Sequence, residues 1–337
     1  MKPLLPAGIK TRFVTLLAAA ACISASAFAQ TPAKLEPVSF RFNWNFLGSY
    51  APLYLGQAKG FFAEQGIDLK IQEGKGSAPT ATAVANGSDD FGYVDMGAVA
   101  RLVDKGLPLK CIAQLRPKTA MALLTLQSSN ITKPSDLKGK TIGYTPGDSI
   151  SLLFPGFLKK NGIDISEVKR EGIDNSIYLK ALIARQVDVT MGYLDSEGFI
   201  LENQGEKINA MMFKDYGMNV VQMCLVTSQK MIQEKPELVR RMTAAYVKSY
   251  TYGTQNVDEA IALGAKLFPA VDPKLTKRQL EFLPTVFSDS VKAGKPIGYV
   301  EPKLWVDTLT ILHEYSGIQN TDPNLYYTND FLPGGGK

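Results

Sequence analysis

Histidine occurs once in the 337 residues, at His313, tryptophan twice and cysteine three times. Metal and triad chemistry needs clustered His, Cys and acidic groups, and the chain contains no HExxH, CxxC, GxSxG or GxxxxGK[ST] motif. Apolar runs long enough to span a bilayer are missing as well: Phe13 to Ile23 is too short. That run follows Lys2, Lys10 and Arg12 and precedes Ala27-Phe28-Ala29, the pattern of an export signal cut after Ala29. A lipid on Cys22, after Ala19-Ala20-Ala21, is the competing reading, but that site lacks the usual leucine three places upstream. Soluble export to the periplasm is the expectation.

Excess charge is lacking too. Removing the signal leaves 34 basic residues against 32 acidic, so the basic balance belongs mostly to the leader and gives no argument for a nucleic-acid partner. Two cysteines survive the cut, Cys111 and Cys224, each inside a strand-like run. An oxidising compartment permits a bridge and cores of this kind also bury free cysteine, so spacing leaves both open.

What is present is a duplication. Asp90-Phe91-Gly92-Tyr93-Val94-Asp95 returns as Val189-Thr190-Met191-Gly192-Tyr193-Leu194-Asp195, and Gly66-Ile67-Asp68-Leu69 as Gly162-Ile163-Asp164-Ile165. Two copies are too few for a solenoid and suit two similar α/β lobes. In each copy a short apolar strand ends in an acidic residue and enters a helix, where open α/β sheets place ligand groups. The segments alternate strand and helix from Val38 to Leu115, restart at Lys140-Thr141-Ile142-Gly143-Tyr144, and end in a helical tail from Pro236 to Tyr315. The expected fold is therefore α/β, with two lobes that are each a mostly parallel sheet flanked by helices. The expected order is signal 1–29, first lobe 36–126, second lobe 127–217, and a return of 218–337 to the first lobe. Two crossings, at Ala120–Leu126 and Val220–Thr227, would form a hinge that lets the lobes close on a ligand.

Several stretches carry a family resemblance: Asn43-Trp44, Ala51-Pro52-Leu53-Tyr54, Lys59-Gly60-Phe61-Phe62, Gly74-Lys75-Gly76-Ser77, Lys133-Pro134-Ser135-Asp136-Leu137-Lys138-Gly139-Lys140, and Tyr327-Thr328-Asn329-Asp330-Phe331. Over nearly the whole mature chain they resemble type II periplasmic binding proteins, in the nitrate, sulfonate, taurine and thiamine-precursor group that feeds ABC importers. The resemblance implies a two-lobed fold, a small-molecule ligand, an inner-membrane ABC permease as partner and no cofactor. Trp44 and Glu197-Gly198 look like positions of the branch that binds pyrimidine precursors of thiamine, whereas Gly48-Ser49-Tyr50 stands where that branch often has a histidine.

Candidate ligand residues lie at element ends. Ser49, Ser77, Ser149 and Asp148 start helices whose backbone N–H groups suit an anion, though each also serves as a plain cap. Asp95, Asp148, Asp195 and Glu197 would repel a bare anion and suit a ligand that donates hydrogen bonds, such as an aminopyrimidine. Trp44, Tyr50, Tyr193 and Tyr216 could wall a flat ring, and Asn43 and Asn45 could fix its polar edges. The sequence thus points to a monomeric solute-binding component, not an enzyme, that takes a thiamine-precursor-like pyrimidine. A sulfonate, taurine or nitrate binder is the alternative, and a pyrimidine-synthase-like enzyme is the alternative of another class.

Overall fold

The computed structural model describes residues 34–336 apart from Lys118; the export signal and Cys22 lie outside the described residues. The chain opens with β1 (Glu36–Phe42), in which Val38, Phe40 and Phe42 turn inward at the strand period. Helix α1 (Ala51–Ala58), β2 (Ile67–Gln72), α2 (Ser77–Ala85), β3 (Phe91–Asp95), α3 (Met96–Asp104) and β4 (Leu109–Gln114) follow. The second half repeats the plan with β5 (Met121–Leu126), β6 (Thr141–Tyr144), α4 (Ser149–Lys160), β7 (Lys169–Gly172), α5 (Tyr178–Ile183), β8 (Val189–Tyr193), α6 (Phe199–Asn203) and β9 (Ile208–Met212). After β10 (Met223–Ser228) come the helices α7 (Gln229–Glu234), α8 (Pro236–Gln255), α9 (Val257–Leu267), α10 (Pro273–Phe282), α11 (Asp289–Lys292) and α12 (Pro302–Ser316).

Two five-stranded sheets result, ordered β2-β1-β3-β10-β4 and β7-β6-β8-β5-β9. The orders match strand for strand, with the Gly-Tyr strands β3 and β8 at the third place. In each sheet one strand, β10 or β5, runs antiparallel to both neighbours and the other four share a direction. Both are buried along their whole length and mostly apolar, as interior strands must be, whereas edge strand β7 is exposed and reads Lys-Arg-Glu-Gly.

This pairing moves the expected crossings. Met121–Leu126 does not close the first lobe but is an interior strand of the second sheet, and Met223–Ser228 is interior to the first. The chain therefore crosses in the segments 115–120 and 213–222, because hydrogen bonds to two neighbours fix each apolar strand inside its sheet.

The repeated Gly-Tyr pair has a packing cause. A Cβ at Gly92 would come within 2.9 Å of Val84 Cγ2, and one at Gly192 within 2.7 Å of Glu197 Cβ, so only glycine lets the neighbouring element lie this close to the strand. Behind the cleft, Val99 and Val103 of α3, Leu153 and Phe157 of α4, and Leu309 and Leu312 of α12 share one apolar core that joins both sheets. Cys111 of β4 and Cys224 of β10 are bridged, with Cα atoms 5.6 Å apart and both side chains fully buried.

Candidate functional site

A cleft of about 550 Å³, its open mouth included, lies between the strand ends of the two sheets. The first half of the chain contributes Asn43, Trp44, Leu47, Tyr50, Ser77 and Tyr93; the second contributes Asp148, Ser149, Tyr178, Met191, Tyr193, Ser196 and Glu197. Arg116 and Met223 border it from the crossing segment and the return strand.

Each group is held from behind. Ser77 opens α2 and accepts from Asn43 Nδ2 at 3.1 Å and from the Asp95 backbone N–H at 3.1 Å, and its Oγ lies 2.8 Å from Ser149 Oγ at the start of α4. Tyr50 donates to Asn43 Oδ1 at 3.0 Å, and its ring stacks on Phe42. Trp44 meets Tyr178 edge to face at 6.2 Å, so an indole from one side and a phenol from the other wall the same space. Tyr193 donates to Asp95 Oδ2 at 3.2 Å, a hydrogen bond from one repeat of the Gly-Tyr strand to the other.

The carboxylates divide by task. Asp95 caps α3 by accepting from Ala98 N–H at 3.0 Å, and Asp148 caps α4 by accepting from Ser151 N–H at 2.5 Å. Glu197 lies on the π-helical turn Leu194–Gly198, a local geometry that recurs at functional sites. It accepts from Tyr178 OH at 2.8 Å, from Tyr193 N–H at 2.7 Å and from Ser196 Oγ–H. Asp195, on the same turn, pairs with Arg116 at 2.5 Å, both side chains being 5% exposed. Burial pushes Asp95 up to about 7 and Asp148 up to about 6 against the pull of their hydrogen bonds, and it raises Glu197 too. Arg116 is pulled down by burial but held above its ordinary value by Asp195 and the neighbouring tyrosines.

Of the residues expected from sequence, Asn43, Trp44, Tyr50, Ser77, Asp148, Ser149, Tyr193 and Glu197 line the cleft. Asp95 and Asp195 stand one step behind it, holding Tyr193 and Arg116. Asn45 and Ser49 do not border it, since the turn after Trp44 brings Leu47 and Tyr50 inward instead. Tyr216 is a correction: it packs edge-on against Phe157 behind α4 and its hydroxyl donates to Thr132 O at 3.4 Å, because it sits in the turn after β9. Arg116 and Tyr178 were not foreseen from sequence. Arg116 follows a strand without any motif, and Tyr178 looks like an ordinary first residue of a helix.

The cleft is shut on a second rim. Arg278 of α10 pairs with Glu202 of α6 at 2.6 Å and lies 3.6 Å over the Phe199 ring, which meets Phe282 edge to face, while Asn203 Nδ2 donates to Asp272 Oδ2 at 3.0 Å. The same α10 accepts Gly48 N–H on Gln279 Oε1 at 2.6 Å and so holds the loop that carries Leu47 and Tyr50. Arg278→Ala is expected to weaken ligand binding about three- to fivefold, the worth of one half-exposed ion pair. The loss should appear as faster release, since Arg278 and Glu202 stand outside the cleft lining. Stopped-flow release rates check it.

Two α/β lobes with a buried polar cleft between their strand ends make this a periplasmic binding protein fold. The alkanesulfonate-binding protein SsuA from Xanthomonas axonopodis pv. citri, bound to MOPS, shares it with a TM-score of 0.64 at 15% identity, over 86% of this chain and 96% of that one. Residues 48–260 match the family described as NMT1/THI5 like, and the chain belongs to that family. Among curated relatives it is similar to the riboflavin-binding protein RibY of Chloroflexus aurantiacus, 24% identical over 85% of this chain and 83% of that protein. It is similar also to the 4-amino-5-hydroxymethyl-2-methylpyrimidine phosphate synthase of Legionella pneumophila, 25% identical over 88% and 92%. The formylaminopyrimidine-binding protein of Halalkalibacterium halodurans is 22% identical over 85% and 87%.

Proposed function

We propose that this protein is an exported solute-binding component of an ABC importer, capturing a flat, hydrogen-bond-donating nitrogen heterocycle of the thiamine-precursor pyrimidine kind. The closed form, with lobes built on the two sheets, is what an inner-membrane permease receives. The observation that carries this reading is the pairing of the Trp44 and Tyr178 walls with the Asp148 and Glu197 carboxyl groups in one cleft. Two of the curated relatives are named for binding riboflavin and a formylaminopyrimidine, both flat nitrogen heterocycles, which supports this reading, while the structural neighbour named for alkanesulfonate supports the second one below.

A bare anion fits less well. The N-termini of α3 and α4 are capped by Asp95 and Asp148, whose oxygens take N–H groups that an anion would use. The start of α2 has no side-chain cap, and that favours a sulfonate, taurine or nitrate ligand as the second reading. A synthase, as one relative is named, would need reactive groups at the cleft. His313 is on α12 with Nδ1 2.7 Å from Ile318 O, and Cys111 and Cys224 are bridged in the core.

The test is thermal unfolding of refolded, ligand-free protein against aminopyrimidines, riboflavin, taurine, alkanesulfonates and nitrate. A true ligand at about 100 times its dissociation constant adds about 2.7 kcal/mol. A shift with the heterocycles is expected, with affinity falling at least about tenfold in Trp44→Ala as stacking and ring burial are lost. A shift confined to sulfonates or nitrate would overturn the reading.

A further inference from the structure

Among the described residues, the guanidinium of Arg116 is the one basic group bordering the cleft, and the ion pair with Asp195 does not use it up. Its backbone is fixed, since Arg116 N–H donates to Met223 O at 3.2 Å where the crossing segment leaves the first sheet. Its side chain is buried, with Nη2 2.5 Å from Asp195 Oδ2 in a close ion pair that lacks hydrogen-bond geometry, and neither Nε nor Nη2 has a hydrogen-bond partner among the described residues. A buried donor left without an acceptor is costly, and a guanidinium can serve several acceptors at once from its fixed fork. The charge beside that free donor is already balanced by Asp195, so the Nε–H suits a neutral acceptor better than an anion. On the acceptor side of the cleft, Glu197 spends both oxygens on Tyr178, Tyr193 N–H and Ser196, which leaves Asp148 as the lining carboxylate with an oxygen to spare beyond its cap.

We infer that Arg116 receives a carbonyl oxygen of the ligand while Asp148 receives its amino group, so that the cleft selects a nitrogen heterocycle bearing both. The inference rests on the heteroaromatic reading above and narrows it. Arg116 is then a specificity residue, and a ring that keeps the amino edge but lacks the carbonyl leaves Nε unpaired in the closed cleft.

Cytosine and 4-aminopyrimidine share the amino edge and differ in the ring carbonyl and the N1 hydrogen that accompanies it. By isothermal titration, the wild-type protein is expected to bind cytosine at least about tenfold more tightly. Arg116→Lys keeps the charge opposite Asp195 but removes Nε, and it is expected to bring the two affinities within about twofold, with the larger change on cytosine. The double variant Arg116→Gln with Asp195→Asn leaves no lone buried charge and is expected to give the same levelling if the single variant fails to fold. Equal binding of both probes by the wild type, or an equal loss for both in the variants, would overturn the role of Arg116 alone. Binding of neither probe would overturn the heteroaromatic reading and this inference with it.

Discussion

Replacing Cys111 and Cys224 together by alanine is expected to remove about 4 to 5 kcal/mol of stability and to lower the unfolding midpoint by roughly 7 °C. The two positions are 113 residues apart, and the segment they enclose holds β5 to β9, the whole second sheet. In the chain-entropy account a bridge acts on the unfolded state, and closing a loop of this length removes about as much entropy as any single bridge in a domain does. Alanine fills the buried positions without a polar group, so cavity and desolvation terms stay small beside that effect. The expectation assumes that both sheets unfold together. If the second sheet stays folded while the first opens, its own ends already hold the loop closed, and the bridge then contributes under about 1 kcal/mol. Urea unfolding of the oxidised protein and the double-alanine variant, followed by calorimetry, separates the two. A single transition shifted by several kcal/mol fits joint unfolding, and two transitions with the upper one unmoved would reject it.

The bridge marks a limit of what was legible from sequence. Each cysteine stands in a run that reads as a strand, but their separation depends on β10 returning between β3 and β4, a pairing across more than a hundred residues. The strand-and-helix alternation was readable because glycine, helix caps and apolar period are local signals, and the duplicated Gly-Tyr-hydrophobic-Asp stretch announced two similar sheets. The place of β5 was not readable: Met121–Leu126 is apolar but for Thr125, which says that a strand is interior without saying to which sheet it belongs. The site divides the same way. Trp44, Ser77, Asp148 and Glu197 stand at element ends that sequence can locate. Arg116 gains its importance only from Asp195 and Met223, brought to it by the crossing of the chain.

Asp95→Asn is expected to stabilise the ligand-free protein at pH 8 and to remove much of its loss of stability on going from pH 5 to 8. Asp95 is fully buried and accepts from Ala98 N–H and Tyr193 OH, while Arg116 adds a favourable field. Burial outweighs these and lifts its carboxyl from the ordinary 3.8 to about 7. The folded protein therefore keeps a proton that the unfolded chain gives up above about pH 4, so stability falls as pH rises from there to about 7 and is level beyond. For this one group the fall between pH 5 and 8 is about 2 to 3 kcal/mol. Asparagine keeps the cap to α3 through its one oxygen, turns its amide NH2 to the Tyr193 hydroxyl, which then accepts, and does not titrate, so urea midpoints of the variant should vary less with pH and exceed the wild type at pH 8. Asp148, lifted by burial to about 6, and Glu197, raised in the same way, remain in the variant and leave a shallower slope of the same sign. A variant with the wild-type pH slope would mean that Asp95 is ionised in the folded protein.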